Sequence, residues 1–190
     1  QTEQARVCFS ELVAVANGPC SLTVFSHEAT TLGEAFTSAA AMRAPALPRQ
    51  GQTNISDGVA SCVEVVRRCE QAEGGEGRTH HVLVLLSDGQ HNRGPPPQQR
   101  LPELGEALKK AAPSVRLSVV VVGVSTRSDT SMGMLLKQSL ETVALPSLEP
   151  IYFAHTPQGM GDALGKMRDG LAALRGGVIR VACAGACGLV

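Results

Sequence analysis

The stretch VLVLLSDGQHNRG, residues 82–94, decides the fold that the sequence predicts. Five apolar residues run directly into Ser87, Asp88 and Gly89, so a buried strand ends by presenting a hydroxyl and a carboxylate at a turn. A strand that is apolar at nearly every position is typical of a parallel sheet covered by helices on both faces. The functional question is whether Asp88 is a ligand, a catalyst or a cap.

Strands and helices alternate on either side of this stretch. Residues 21–26 predict a strand, and residues 28–37 predict its hairpin partner after a turn at His27. Further strands are predicted in VRLSVVVVGVS and IYFA, and helices over residues 2–17, 101–112, 131–143 and 159–175, with one more beginning at Ile55. The alternation from residue 54 onward predicts an α/β fold, a doubly wound, mostly parallel sheet with helices on both faces.

Composition narrows the classes of function. A chain of 190 residues with 43% apolar residues is long enough for one domain with an ordinary core. Seventeen basic and seventeen acidic residues cancel, which argues against a general nucleic-acid binder. No apolar run approaches the roughly 20 residues that span a bilayer. We therefore expect neither nucleic acid binding nor membrane insertion.

The six cysteines lie at positions 8, 20, 62, 69, 183 and 187. Neither close pair has the C-x2-C spacing of a zinc site. Cys62 and Cys69 fall two turns apart on the helix that begins at Ile55, where buried free thiols are favoured over a metal site or a disulfide. This usage of cysteine predicts a reducing compartment, and hence an intracellular, cytoplasmic protein.

Three loops converge at the carboxyl ends of the predicted parallel strands, where open α/β sheets bind ligands. They bring Thr53, Asp88, and Ser125 or Asp129 to one rim. A hydroxyl and a carboxylate suit magnesium, which prefers oxygen ligands, and do not suit zinc. The alternative is structural, because Asp-Gly is a common turn and Thr53 or Asn54 could cap the following helix.

The ordered set SLTVFSHEATTL, GQTNISDGV, HHVLVLLSDGQHNRG and SVVVVGVS resembles a von Willebrand factor A domain over residues 1–175. The resemblance implies a mostly parallel sheet with one antiparallel edge strand, here residues 28–37. It also implies a metal-ion-dependent adhesion site with Thr53 and Asp88 as ligands of a divalent cation, whose shell an acidic side chain of a partner protein completes. Ser87, Gln90, Asn92 and Ser125 would then lie on the contact rim.

The chain departs from that family at its main metal motif. No Asp-x-Ser-x-Ser occurs in the chain, and the central strand that precedes this motif is missing at the amino end. Its loss would leave a gap of about 10 Å between SLTVFS and HVLVLLS, twice the strand spacing. We therefore expect a piece of a longer protein, in which residues 176–190 form an edge strand or begin a β module. The alternative is that residues 177–183 fill the gap.

The histidines and the remaining sequence patterns give weaker evidence for a functional site. His80 and His81 are expected in a solvated loop before the strand, whereas His91 and His155 are neighbours of the rim. No nucleophile elbow, phosphate loop or dinucleotide fingerprint is present. The glycines in GMGDALGKMRDG predict a helix packed closely against the sheet.

The sequence thus predicts a non-enzymatic protein–protein interaction module within a larger assembly, using magnesium only if the missing motif lies upstream. The alternatives are a hydrolase or nucleotide-binding enzyme with Asp88 as base or metal ligand, and an architectural domain whose metal site has decayed.

Overall fold

A computed structural model of the chain describes residues 13, 19–36, 52–74, 79–87, 90–123, 130–144, 149, 151–153, 157–172 and 178–186. Its strands are β1 (Cys20–Phe25), β2 (Ala29–Phe36), β3 (Thr79–Ser87), β4 (Arg116–Gly123), β5 (Ile151–Phe153) and β6 (Val178–Ala186). Its helices are α1 (Ile55–Ala72), α2 (Pro97–Ala111), α3 (Thr130–Leu140) and α4 (Pro157–Ala172). The helix predicted over residues 2–17 lies outside the described residues, apart from a helical, buried Val13.

The six strands form one sheet in the order β2-β1-β6-β3-β4-β5. All neighbouring pairs are parallel except β1 and β2, which are antiparallel at one edge. The predicted α/β fold with a mostly parallel sheet and an antiparallel edge strand is therefore confirmed. The fold is compatible with a Rossmann-like arrangement.

Strand β6 occupies the centre of the sheet, in the gap that the sequence led us to expect between β1 and β3. Its residue Ala182 lies beside Ser21 of β1 on one side and Leu83 of β3 on the other. This differs from our leading expectation of an edge strand or a following β module for this segment, and matches the alternative. The physical reason is that β1 and β3 would otherwise leave rows of backbone N–H and C=O groups unpaired in the interior.

Helices α1, α2 and α3 cover one face of the sheet with a continuous apolar core. Alternate residues of β3 and β4, such as Leu83, Leu85 and Val119, pack there against Val59 of α1 and Leu136 of α3. The opposite face of these strands is buried as well, at Val82, Val84, Val120 and Val122. Burial on both faces explains why β3 and β4 are apolar at almost every position.

Strand β5 is short and pairs only with Val121–Gly123 of β4. The segment after α3 forms hydrogen bonds with the earlier part of β4 instead. The backbone N–H groups of Thr142 and Val143 donate to the carbonyl oxygen of Leu117 at 2.9 and 3.2 Å. The Thr142 hydroxyl accepts from the N–H of Leu117 and donates to the carbonyl oxygen of Val115. Backbone groups that a longer β5 would have paired are thus satisfied by a loop.

Our expectation that His80 and His81 lie in a solvated loop is wrong. Both belong to β3, and only 4% and 2% of their surfaces are exposed. His80 Nε2 lies 2.9 Å from the Ser118 hydroxyl, and His81 Nε2 lies 2.8 Å from a carboxylate oxygen of Glu70. A histidine is tolerated in a buried strand when such a partner replaces water.

The tautomer of His80 follows from its surroundings. The Ser118 hydroxyl donates its proton to the carbonyl oxygen of Val143 at 2.7 Å, so it can only accept from His80, whose Nε2 must carry the hydrogen. His80 Nδ1 is buried without a hydrogen-bond partner. Burial, and then the positive charge of Arg116, lower the pKa of His80 to about 4.

The glycines of α4 do not serve the close packing that the sequence suggested, at the two positions where the surroundings are described. A Cβ atom added at Gly161 or Gly165 would meet nothing within 4 Å. Gly105 of α2 is the opposite case, since a Cβ there would overlap the backbone carbonyl of Ser139 in α3. Close helix packing therefore requires glycine between α2 and α3 at this point.

Among the described helices, none is long and apolar enough to cross a membrane.

Replacing the open glycines should stabilise the fold. Gly161→Ala and Gly165→Ala should each raise the free energy of unfolding by about 0.5–1 kcal/mol, because alanine lowers the backbone entropy of the unfolded chain and nothing obstructs its methyl group. Gly105→Ala is the matched control and should lower it, because α2 and α3 must separate. Urea unfolding measures all three, and a loss of stability in both α4 variants would contradict this packing.

His80 should make the fold sensitive to acid. Its pKa is lowered to about 4 in the folded protein and is about 6.5 in an unfolded chain. Between these values the unfolded state binds more protons, so stability is full above pH 6.5 and falls as the pH drops towards 4. In His80→Gln, the loss of unfolding free energy between pH 7 and pH 5 should be about 2 kcal/mol smaller than in the parent chain. Urea unfolding at both pH values tests this, and equal losses would refute it.

Candidate functional site

The candidate site lies at the carboxyl ends of the parallel strands, where β1 ends at Phe25 and β3 at Ser87. Helix α1 begins at this edge with Ile55, and the chain passes it again before α2. We call residues 52–56 and 90–96 the strand-end rim. The two segments are joined by hydrogen bonds described below, although they are almost 40 residues apart in sequence.

Thr53 and Asn92 form the centre of the rim. The backbone N–H of Thr53 donates to the side-chain oxygen of Asn92 at 2.8 Å, and the backbone N–H of Asn92 donates to the carbonyl oxygen of Thr53 at 3.1 Å. Reciprocal bonds of this kind fix both the spacing and the orientation of two loops. The structure therefore brings together Thr53, which we predicted as a metal ligand, and Asn92, which we predicted as a contact residue, while those two roles stay predictions.

Asn54 anchors the first loop to the sheet and to α1. Its side-chain oxygen accepts from the N–H of Asp57 at 3.2 Å, the geometry of a helix N-cap. Its own N–H donates to the carbonyl oxygen of Ser26 at 2.6 Å, directly after β1. Gly94 has a positive φ of 81°, and a Cβ there would lie 2.5 Å from the Asn54 side chain. The capping role that the sequence allowed for Asn54 is confirmed, and it requires glycine at position 94.

His91 and Ser56 add a second set of contacts between the loops. The N–H of Ile55, one of the free donors at the start of α1, donates to His91 Nδ1 at 3.3 Å. His91 Nδ1 is the acceptor in this contact, and His91 Nε2 is buried without a hydrogen-bond partner. The Ser56 hydroxyl donates to the carbonyl oxygen of Pro95 at 2.7 Å. Four hydrogen bonds therefore join the two segments of the rim, from Thr53, Ile55 and Ser56 on one side to His91, Asn92 and Pro95 on the other.

The remaining predicted residues are placed as follows. Ser87 is buried at the last position of β3, beside Gly123 of β4. Gln90 and Asn92 are exposed. Asp88, Ser125, Asp129 and His155 lie outside the described residues, so their contribution to the rim stays a prediction.

Sequence reasoning missed one pair on the rim. Arg93 donates to the side-chain oxygen of Gln52 at 2.7 Å, and both side chains lie at the surface. No sequence signal links an arginine and a glutamine separated by 41 residues, because their proximity follows from the strand order. The pair extends the contact between the two loops to the outer edge of the rim.

The described part of the rim does not by itself fit magnesium. Among the described residues, no group of three His, Cys, Asp or Glu side chains could hold a metal ion. The rim supplies the Thr53 hydroxyl, and β6, the strand that ends in the centre of this edge, has no carboxylate or hydroxyl in its sequence VIRVACAGA. Magnesium needs several oxygen ligands in a near-octahedral arrangement, usually including a carboxylate. Asp88 would supply the only further ligand that we predicted with Thr53.

Comparisons of the chain with protein families, with curated proteins and with solved structures found no match. The assignment of the chain to a family therefore stays the resemblance described above.

The chain of 190 residues should bind magnesium weakly. Titration of magnesium and manganese by calorimetry should show no saturable site below about 1 mM, because Thr53 and Asp88 alone offer too few ligands. Asp88→Ala is the control and should give the same heats as the parent chain. A saturable site that disappears in Asp88→Ala would contradict this account and establish a metal centre at the rim.

Proposed function

We propose that the chain is a non-enzymatic protein–protein interaction module, which binds another protein through the strand-end rim. The observation that carries this proposal is the hydrogen-bonded clamp between residues 52–56 and 90–96. We further propose that the module serves within a larger assembly, as its resemblance to the von Willebrand factor A family implies. We propose that contact with the partner needs no cation. A cation would take part only if further ligands joined Thr53 and Asp88.

The clamp supports binding because it fixes loop backbone before a partner arrives. Loops that order only on association lose conformational entropy at that moment, and this loss reduces affinity. Here the Thr53 and Asn92 backbones are tied to each other, and α1 is capped from both loops by Asn54 and His91. A partner would therefore meet a surface whose shape changes little on binding.

The exposed groups of the rim suit a polar protein surface. Gln52, Gln90, Asn92 and Arg93 are exposed, and they offer both donors and acceptors around one positive charge. The amino end of α1 adds a partial positive charge beneath them. An acidic side chain is therefore the partner group that this surface would favour, with the amide side chains providing hydrogen bonds beside it.

The same contacts count against the hydrolase alternative among the described residues. His91 is the rim histidine best placed to act as a general base, yet its Nδ1 already accepts from the N–H of Ile55. A general base needs a free nitrogen within reach of the proton that it removes. The architectural alternative differs from our proposal in having no partner at the rim, and the experiment below separates the two.

A charge reversal on the rim should abolish partner binding. Arg93→Glu places a negative charge where we propose that an acidic group binds, and the loss of one charged hydrogen bond with added repulsion should weaken association by about tenfold or more. The parent chain and the variant are used as baits for affinity capture, with quantitative mass spectrometry of the retained proteins.

The matched control is Arg116→Glu, since Arg116 is an exposed arginine at the start of β4, on the opposite edge of the sheet. A protein that is retained by the parent chain and by Arg116→Glu, and lost from Arg93→Glu, is the expected result. Identical sets of retained proteins for all three baits would refute binding through the rim and favour an architectural domain.

A further inference from the structure

A second polar cluster lies far from the rim, at the edge of the sheet where the parallel strands begin. It surrounds a half-open cavity of about 220 Å³, a volume that includes its open mouth. The cavity is bounded by α1, β1, β3 and β6, and its walls are formed by Pro19, Ser21, Val65, Val66, Cys69, His81, Arg180 and Val181. Its enclosed part admits a molecule about the size of one water.

Two polar groups in the wall of this cavity are buried without a hydrogen-bond partner. Ser21 is only 3% exposed, and its hydroxyl is unpaired. The Nε–H of Arg180 is also buried and unpaired, although its terminal nitrogen binds Glu73 at 2.6 Å. Buried donors and acceptors normally have partners, so this pair indicates a place where a small polar molecule binds.

Cys69 is a free thiol in the same wall, half-buried in the last turn of α1. The other two free thiols that the structure describes are different. Burial raises the pKa of Cys20 to about 11 and that of Cys62 to about 12, so neither forms the thiolate that reacts with oxidants. Among these three thiols, Cys69 alone combines access from solvent with unpaired polar groups in the same cavity.

We propose that Cys69 is a site of reversible oxidation by hydrogen peroxide, which binds in this cavity between the Ser21 hydroxyl and the Arg180 Nε–H. Hydrogen peroxide has two oxygen atoms that both donate and accept, which matches one hydroxyl and one N–H donor. One of its oxygen atoms fits the enclosed part of the cavity, and the other extends into the open mouth. The site is independent of the strand-end rim and of the function proposed for it.

The chemical step is a two-electron oxidation of sulfur. The Cys69 thiolate attacks one peroxide oxygen, so that an S–O bond forms as the O–O bond breaks. Hydroxide leaves from the other oxygen and takes up a proton to become water. Sulfur is oxidised to a sulfenic acid and the peroxide is reduced. The guanidinium of Arg180 donates to the oxygen that leaves as hydroxide and stabilises its growing negative charge.

The test measures oxidation of each cysteine in the folded chain. The protein is treated with hydrogen peroxide, quenched, unfolded in the presence of a maleimide and digested with trypsin. Cleavage after Arg67 and Arg68 places Cys62 and Cys69 in separate peptides, so their oxidised fractions are read independently by mass spectrometry. Cys69 should oxidise at least about tenfold faster than Cys62 and Cys20, and a thiol reductant should restore it.

Two variants test the role of the cavity. Ser21→Val fills part of it, and Arg180→Lys keeps the charge beside Glu73 while removing the Nε–H. Each should slow the oxidation of Cys69 by about tenfold, the equivalent of one hydrogen bond to a charged intermediate. If Ser21→Val does not fold, Arg180→Lys decides the matter alone. Oxidation of Cys69 at the parent rate in the folded variants, or no faster than that of Cys62, would overturn the proposal.

Discussion

The pairing of β6 with both β1 and β3 is the constraint on which the rest of the structure depends. Without it, two strands buried on both faces would carry unpaired backbone groups, each costing free energy comparable to a lost hydrogen bond. With it, Leu83 of β3 and Ser21 of β1 lie on either side of Ala182, and the sheet is continuous from β2 to β5. The ends of the strands are then fixed relative to one another.

Both polar regions of the molecule follow from this arrangement. At the carboxyl edge, the ordered end of β1 places Ser26 where it accepts from Asn54, and this positions α1 and the first rim loop. At the amino edge, β6 brings Arg180 beside His81 and towards Glu73, the residue that follows α1. A rim suited to contact with a protein and a small cavity suited to an oxidant thus lie at opposite edges of one sheet.

Local sequence patterns predicted much of the fold, because they report burial and capping. The apolar run before Ser87 identified β3, and Asn54 ahead of the apolar stripe of α1 marked where that helix starts. The position of β6 was not predictable in this way, since strand order depends on contacts between distant segments. His80 and His81 were misplaced for the same reason, as their partners Ser118 and Glu70 lie 38 and 11 residues away. At the rim, Thr53 and Asn92 were anticipated, whereas Arg93 with Gln52 was not.

Hydrogen exchange of the backbone amides tests the central place of β6 most directly. An amide that is paired in the middle of a buried sheet exchanges only when the sheet opens, so its protection reports the stability of that pairing. We expect the amides of β6 to be among the slowest in the chain, with protection similar to that of β3. Exchange of β6 at the rate of an unstructured segment, while β3 and β4 remain protected, would show that β6 does not hold the sheet together.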